Sequence, residues 1–468
     1  MTSAKATKLE LLNFKSLPTR TFWITSFAFF LCFFSWFGIV PFMPDVVKDL
    51  GLTPNQKWNS IILAVTGTVF ARLLIGKLCD QFGPRLVYAY LLAIGSVPVI
   101  LMGLSQSPAQ FLICRFLTGF IGASFVITQV HTSLMFAPNV VGTANATSAG
   151  WGNLGGGANR LGMPIIASIV VSFGVAESDS WRISMIIAGI ACFLMGIVYF
   201  KFTQDTPEGN IRELKSKGHL NTEKKSDLNI LNVIKDYRVW ILFLVYASCF
   251  GVELTVYGTM DDYLQNTFGI SRVNAGNIVL SFAMMNLFAR TLGGHFGDRF
   301  GRSKGLKGRV ILLSMLLALE GTMLMFFSNI NILAVAIVFL IAFSLTVQMA
   351  EGATFSVVPF INKKAVGLIS GIVGAGGNVG AFLAAFLLKS KSALAENEAI
   401  ALNQGNSNEL IEQAQALASS SAVSGGYFII GVVILFSAAL ALAIKFSSED
   451  EKEVVAEMKM ILEINADK

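Results

Sequence analysis

The stretch FARLLIGKLCDQFG, residues 70–83, returns almost unchanged as FARTLGGHFGDRFG, residues 288–301. Phe, Ala, Arg, Leu, Gly, Asp, Phe and Gly keep their places. Each copy sets an arginine, Arg72 or Arg290, in an apolar run eight residues before an acid, Asp80 or Asp298. At about 1.5 Å rise per helical residue, each arginine lies roughly 12 Å from its acid. A charge placed twice at such depth in an apolar chain needs a reason.

Composition supplies the setting. The chain is 54% hydrophobic and 14% charged, with a mean hydropathy of +0.65 and 38 Phe. Soluble domains carry about 25% charge. Twelve apolar blocks, at 22–44, 58–78, 86–104, 109–135, 143–172, 180–202, 239–260, 272–295, 309–327, 331–356, 365–389 and 423–446, approach or exceed the roughly 20 residues that cross a bilayer. These predict an all-α membrane protein of twelve transmembrane helices. Residues 1–21 carry Lys5, Lys8, Lys15 and Arg20 but lead into a long apolar block without a clear small-residue cleavage site, so that block reads as the first span.

The net charge of +6 matters through its distribution. Lysine and arginine crowd alternate loops: Lys77 and Arg85; Lys215, Lys217, Lys224 and Lys225; Arg299, Arg302, Lys304, Lys307 and Arg309; Lys363 and Lys364. Loops 105–108, 261–271 and 328–331 hold none. The positive-inside rule then places both termini in the cytoplasm of a multi-pass protein in an inner or plasma membrane. The basic excess sets topology and implies no nucleic-acid partner. The five cysteines lie in or beside spans without CxxC spacing, and three histidines are scattered at 131, 219 and 295. No disulfide framework, metal site or cofactor is expected.

A second repeat accompanies the first. GNLGGG with Asn153 and GGNVGAF with Asn378 fall in the fifth and eleventh spans, as the arginine motif falls in the second and eighth. Two repeats at nearly one offset predict two pseudo-symmetric six-helix halves, with a substrate site near the midplane between them. The expected divisions are 1–202, a cytoplasmic linker 203–238, and 239–446 with an outer loop 390–422. The tail 447–468, with Val454, Val455, Met458, Ile461 and Leu462 at helical spacing, predicts a short amphipathic helix.

A charge at the bilayer centre costs at least about 2.5–3.5 kcal/mol on insertion scales. The duplicated helices show no repeated carboxylate that would serve both arginines, so Arg72 and Arg290 are expected to converge, unpaired, on an anion. Guanidinium is a planar fork of donors suited to a planar oxyanion. That fork alone does not separate nitrate from phosphate or a carboxylate. GWGNLG also matches the dinucleotide fingerprint, but that motif needs a preceding strand and a βαβ unit, and here it lies inside a span. Helix packing accounts for most of its glycines. It does not account for Asn153 and Asn378, whose amides can donate to an anion from opposite sides. Arg160, a third arginine at membrane depth, is expected to pair with Glu253. Glu253, Glu320 and Glu351 are buried-acid positions, and Glu320 and Glu351 in particular could take protons.

GKLCDQFGPR (76–85) and GGHFGDRFGR (293–302) resemble the signature that the major facilitator superfamily carries between its second and third and its eighth and ninth helices. RFLTGFIGA (115–123) resembles the helix-four motif of the same superfamily. Within it, AGWGNLGGG (149–157) and GIVGAGGNVG (371–380) resemble the paired glycine-rich signatures of the nitrate/nitrite porter family. YASCFGVEL (246–254) and EGATFSVVPF (351–360) add likeness to the plant, algal and fungal members. The resemblance runs from the first span to the last. It implies the major facilitator fold and a secondary transporter for nitrate or nitrite. Uptake of an anion against an inside-negative potential needs coupled cations, so protons are the expected coupling ion. A monomer is expected, and no enzymatic activity, since no nucleophile–base or metal set lies at membrane depth. The resemblance places substrate at Arg72, Arg290, Asn153 and Asn378, and lines the pocket with Tyr246, Phe250 and Phe125. Rival expectations are a nitrate/nitrite antiporter and a membrane nitrate sensor without net transport.

Overall fold

The computed structural model describes residues 5–216, 230–363, 365–403, 407–452 and 454–456, in which helices dominate and no strand longer than an isolated bridge occurs. Among these residues are eleven helical stretches long and apolar enough to cross a membrane. One of them, Val273–Ser328, runs 56 residues, about 84 Å at 1.5 Å per residue and far beyond a core of about 30 Å. The chain turns inside it at Gly305, whose φ of 66° leaves the helical region. Glycine tolerates that value without a Cβ clash. The stretch is therefore two crossings, and the total is twelve.

The helices are α1 (Leu17–Phe37), α2 (Pro54–Phe82), α3 (Pro84–Gly103), α4 (Pro108–Met135), α5 (Val141–Ser172), α6 (Ser180–Phe202), α7 (Tyr237–Phe268), α8 (272–304), α9 (306–328), α10 (Leu333–Phe360), α11 (Val366–Leu402) and α12 (Asn408–Ala441). Local chemistry sets several starts. Thr53 and Gln56 close a reciprocal capping box at the head of α2, with Pro54 in the first turn. Ser107 caps α4 by accepting from the Gln110 amide. The phenylalanine that opens each repeat, Phe70 or Phe288, is 59% or 49% exposed, whereas the arginine two residues on is buried. One face of each helix thus meets lipid and the other the interior.

The halves meet through two equivalent helix pairs, α2 along α11 and α8 along α5. Small residues let the backbones approach: a Cβ on Gly76 would run into the Gly367 carbonyl, and one on Gly294 into that of Gly142. The repeated acids cap the helix starts of the opposite half. Asp80 accepts from the Gly367 and Leu368 amides at 3.0 and 2.8 Å. Asp298 accepts from the Gly142 and Thr143 amides at 3.1 and 2.6 Å, and from the Thr143 hydroxyl at 2.7 Å. A carboxylate at a helix N-terminus satisfies orphan N–H groups and meets the positive end of the dipole. Arg309, expected among the loop charges, is instead fully buried. It donates to Asp298 at 2.8 Å and to the Ser356 and Pro138 carbonyls.

At the opposite end the halves are tied by Arg160. The expected Arg160–Glu253 pair does not form. Arg160 donates to Asp261 at 2.8 Å and to the Tyr257 carbonyl at 3.0 Å. Asp261 lies two turns beyond Glu253 on α7, where its side chain is 31% exposed and pays little for its charge. The expected outer loop 390–422 is largely helical as well. α11 and α12 continue past the membrane core and touch through Ser392 and Ser419. Of the tail helix, Val454 and Val455 are described and helical, with Val454 packed against Leu306 and Phe360, while Met458, Ile461 and Leu462 lie outside the described residues.

Two tests follow from this packing. Gly76→Leu overpacks the α2–α11 contact, which costs about 1–3 kcal/mol, so the separated form gains roughly 5–150-fold in population. Labelling of buried Cys79 by a hydrophilic maleimide, in a chain without the other four cysteines, should rise accordingly. No increase would mean that this contact does not close that end. Arg160→Asp should lower thermal stability by about 1 kcal/mol, the upper end for a pair whose acid is partly exposed. Adding Asp261→Arg should restore it, and a double variant no better than the single removes the pair from the account.

Candidate anion-binding site

Three helices break their regular hydrogen bonding at the level of the repeated arginines. α4 narrows to a 3₁₀ segment at Gly119–Ala123, α5 steps at Leu154, and α8 narrows at Met285–Leu287. Such breaks change which carbonyls the helix itself uses. In α4 the Gly119 carbonyl accepts from the Thr68 hydroxyl at 2.6 Å, and the Gly122 carbonyl accepts from Arg72 Nε at 3.2 Å.

Arg72 is completely buried. Besides Gly122, its Nη1 donates to the Gly374 carbonyl of α11. With the Asn378 amide turned so that its oxygen faces the guanidinium, Nη1 and Nε also donate to it at 2.9 and 3.3 Å. That orientation follows from hydrogen-bond complementarity. The guanidinium carbon sits 5.1 Å from the centres of both the Phe125 and Phe250 rings, within cation–π range. Among the described residues no carboxylate pairs with Arg72, and its Nη2 has no acceptor.

Arg290 mirrors this arrangement with a difference. Its Nη1 and Nη2 donate to the Asn153 oxygen, in the corresponding amide orientation, at 2.6 and 2.8 Å. Its guanidinium carbon is 5.8 Å from the Phe250 ring, which is thus near both arginines. It is also an ion-pair partner of Glu351 on α10 and of Glu253 on α7, the latter at 3.5 Å. The expectation that both arginines lack a carboxylate therefore holds for Arg72 and fails for Arg290. The two acids sit on helices outside the repeated motifs, so comparing the motif copies did not reveal them.

The seven residues expected at the site all fall in this one buried cluster. Phe125 from the first half stacks on Tyr246 and Phe250 from the second, at ring separations of 5.6 and 6.1 Å. Phe355 of α10, overlooked in the sequence although it lies within EGATFSVVPF, stands edge-on to Phe125 and Tyr246 at 4.8 and 5.1 Å. Arg72, Arg290 and Tyr246 are within electrostatic reach of one another. Among the described residues three donors here find no acceptor: Arg72 Nη2, Arg290 Nε and the Tyr246 hydroxyl. A buried donor left unmatched costs about 1–3 kcal/mol, and more when charged. Two guanidinium edges and a phenol can supply hydrogen bonds to a small anion in apolar surroundings. Arg115 does not join them; it donates to the Trp36 carbonyl at 3.1 Å.

Comparison with known proteins agrees with this architecture. Residues 25–385 match the family model of the Major Facilitator Superfamily. The chain is 40% identical over 381 residues to the "High affinity nitrate transporter 2.5" of Arabidopsis thaliana, covering 81% of this chain and 75% of that one. It is 35% identical over 383 residues to the "Nitrate transporter 2.2" of Chlamydomonas reinhardtii, covering 81% and 74%. A "Nitrate/nitrite transporter NrtP" of Picosynechococcus is 30% identical over 460 residues, covering 80% and 86%. Among solved structures, the proton:xylose symporter XylE superposes with a TM-score of 0.67 at 14% identity, over 91% of this chain and 95% of that one. A bacterial homologue of the lysosomal transporter Spinster gives 0.63 at 15% identity, over 94% and 98%. The chain belongs to the nitrate/nitrite porter family of the Major Facilitator Superfamily, and is a transporter rather than an enzyme.

Proposed function

We propose that this chain imports nitrate, with nitrite as a second substrate, by proton symport and alternating access around Arg72 and Arg290. One observation carries the reading. Two buried arginines from opposite halves retain unmatched N–H donors beside the free phenol of Tyr246. The relatives' names supply the choice of nitrate among small anions, and those of the cyanobacterial relatives add nitrite.

In this reading Arg72 and Arg290 grip one anion from the two halves, Tyr246 adds a hydrogen bond, and Phe125, Phe250 and Phe355 exclude water. Asn153 and Asn378 orient the guanidinium groups. The six-helix bodies 1–202 and 239–446 rock about the site, and the basic end with its Asp80 and Asp298 caps is the cytoplasmic closure. Both termini then lie in the cytoplasm of a plasma or inner membrane, and the working unit is one chain in lipid. An inside-negative potential of ~100 mV opposes each entering anion by about 2.3 kcal/mol. Uptake with net positive charge entry therefore needs at least two protons per nitrate. Nitrate/nitrite exchange needs none, and neither does a sensor.

Labelled nitrate counterflow in proteoliposomes tests the substrate. Unlabelled nitrate or nitrite should compete, and phosphate and sugars should not; absence of counterflow rejects nitrate transport. Alkalinisation of a weakly buffered exterior during uptake should accompany symport, whereas exchange leaves pH unchanged. Arg72→Lys keeps the charge and loses the fork, so it should abolish uptake and nitrate-dependent thermal stabilisation while the protein stays in the membrane. Near-normal uptake by this variant removes Arg72 from the anion grip. Asn153→Ala should weaken nitrate roughly tenfold or more, the value of about 1.5–3 kcal/mol for a hydrogen bond involving a charged group. Unchanged affinity leaves that helix as packing only.

A further inference from the structure

We propose that Glu351 is a coupling-proton site: it competes with the transported anion for Arg290, and taking a proton frees Arg290 for the anion. The proposal rests on the reading that Arg290 holds nitrate. Arg72 and Arg290 are balanced by Glu253 and Glu351, all four buried at 1% exposure or less. An entering anion leaves this cluster one negative charge in excess, a state that burial penalises heavily. One proton restores neutrality.

The two acids are not equivalent. Oε1 of Glu253 accepts from the Tyr257 hydroxyl at 3.0 Å and from the Asn286 amide at 2.7 Å, and Arg290 faces its other oxygen at 3.5 Å. Two neutral donors thus fix Glu253 as an acceptor whether or not Arg290 attends it. Glu351 has no such support. Among the described residues, neither of its oxygens meets a hydrogen-bond donor apart from Arg290. When Arg290 turns to nitrate, Glu351 is left as a bare buried carboxylate unless a proton adds to one oxygen. That proton comes from water on the side of entry and returns to water on the side of release, when Glu351 resumes its pair with Arg290. One proton on Glu351 leaves the loaded site neutral, so net positive charge entry draws its further proton from another group.

The charged and titratable groups around this pair enter the same balance. Arg290 faces it from α8, Arg72 and Tyr246 lie within electrostatic reach of Arg290, and so does Cys249 of α7. Tyr257 is hydrogen-bonded to Glu253, and the Arg160–Asp261 pair lies beyond it. Glu320 of α9, buried and without a hydrogen-bond partner among the described residues, lies within electrostatic reach of Glu253.

Binding and protonation that share one residue must help each other equally. Nitrate affinity of the purified full-length protein, read by calorimetry from pH 5.5 to 8.5, should fall about tenfold per pH unit on the alkaline side. Glu351→Gln, a neutral side chain of the same shape, should lose that slope, and its accumulation under an imposed proton gradient should fall by one proton's worth, about tenfold per pH unit of gradient. Glu253→Gln should keep the pH slope. A wild-type protein that binds nitrate with no slope overturns the proposal and leaves the nitrate reading standing. So does a Glu351→Gln protein that keeps slope and gradient-driven accumulation, or one that is folded but binds no nitrate at any pH. Loss of the slope in Glu253→Gln alone would transfer the role and likewise overturn the assignment. A wild-type protein that binds no nitrate at all fails at the earlier step and brings down both readings.

Discussion

Each buried arginine belongs to one half of the molecule and is held by the other. Arg72 rises from α2 and donates to Gly374 and Asn378 of α11; Arg290 rises from α8 and donates to Asn153 of α5. Neither guanidinium could be left bare in a bilayer, where desolvating a charge costs several kcal/mol even after relaxation. The partners therefore have to be present whenever the halves are together. This reciprocal grip makes the interface between halves and the site the same set of contacts. Helices α2 and α8 must run close to α11 and α5 for the arginines to reach, and the facing glycines permit that approach.

The repeated motif joins the halves at two depths. Its arginine meets the asparagine of the glycine-rich helix, and its acid, eight residues on, caps that same helix at its first turn. On antiparallel neighbours the two contacts lie roughly 12 Å apart. A helix pair pinned at two points cannot slide without breaking one of them, which fits the proposed rocking of the two halves about the arginine level. In the second half Arg309 joins the cap, donating to Asp298 and to the Ser356 and Pro138 carbonyls.

What could be read from the sequence was what duplication wrote twice. The twelve apolar blocks, the halves and the cluster of Arg72, Arg290, Asn153, Asn378, Tyr246, Phe250 and Phe125 were legible because local apolar pattern and repeated words report helices and their symmetric placement. The departures from symmetry were not. Glu253 and Glu351 reach Arg290 from unrepeated positions, and no periodicity links residues on α7, α8 and α10. Arg160 looked toward Glu253 because membrane depth alone does not resolve two helical turns; the half-exposed Asp261 was the cheaper partner. Arg309 sits at a helix start beside a basic loop, where composition is the same whether its side chain turns inward or out. Polarity at 390–422 suits a loop, but Ala, Glu, Gln and Lys also suit a helix in water.

That last segment gives the site a mechanical reach. α11 passes unbroken from Gly374 and Asn378, where it holds Arg72, to Leu402 beyond the membrane. The distance is about 36 Å along a rod with 1.5 Å rise per residue, so a tilt of ~10° at the site displaces the far end by about 6 Å. The hairpin formed with α12 is therefore a pointer on the outside of the molecule. It magnifies angular changes at the arginine level into displacements large enough for a pair of distance probes to follow.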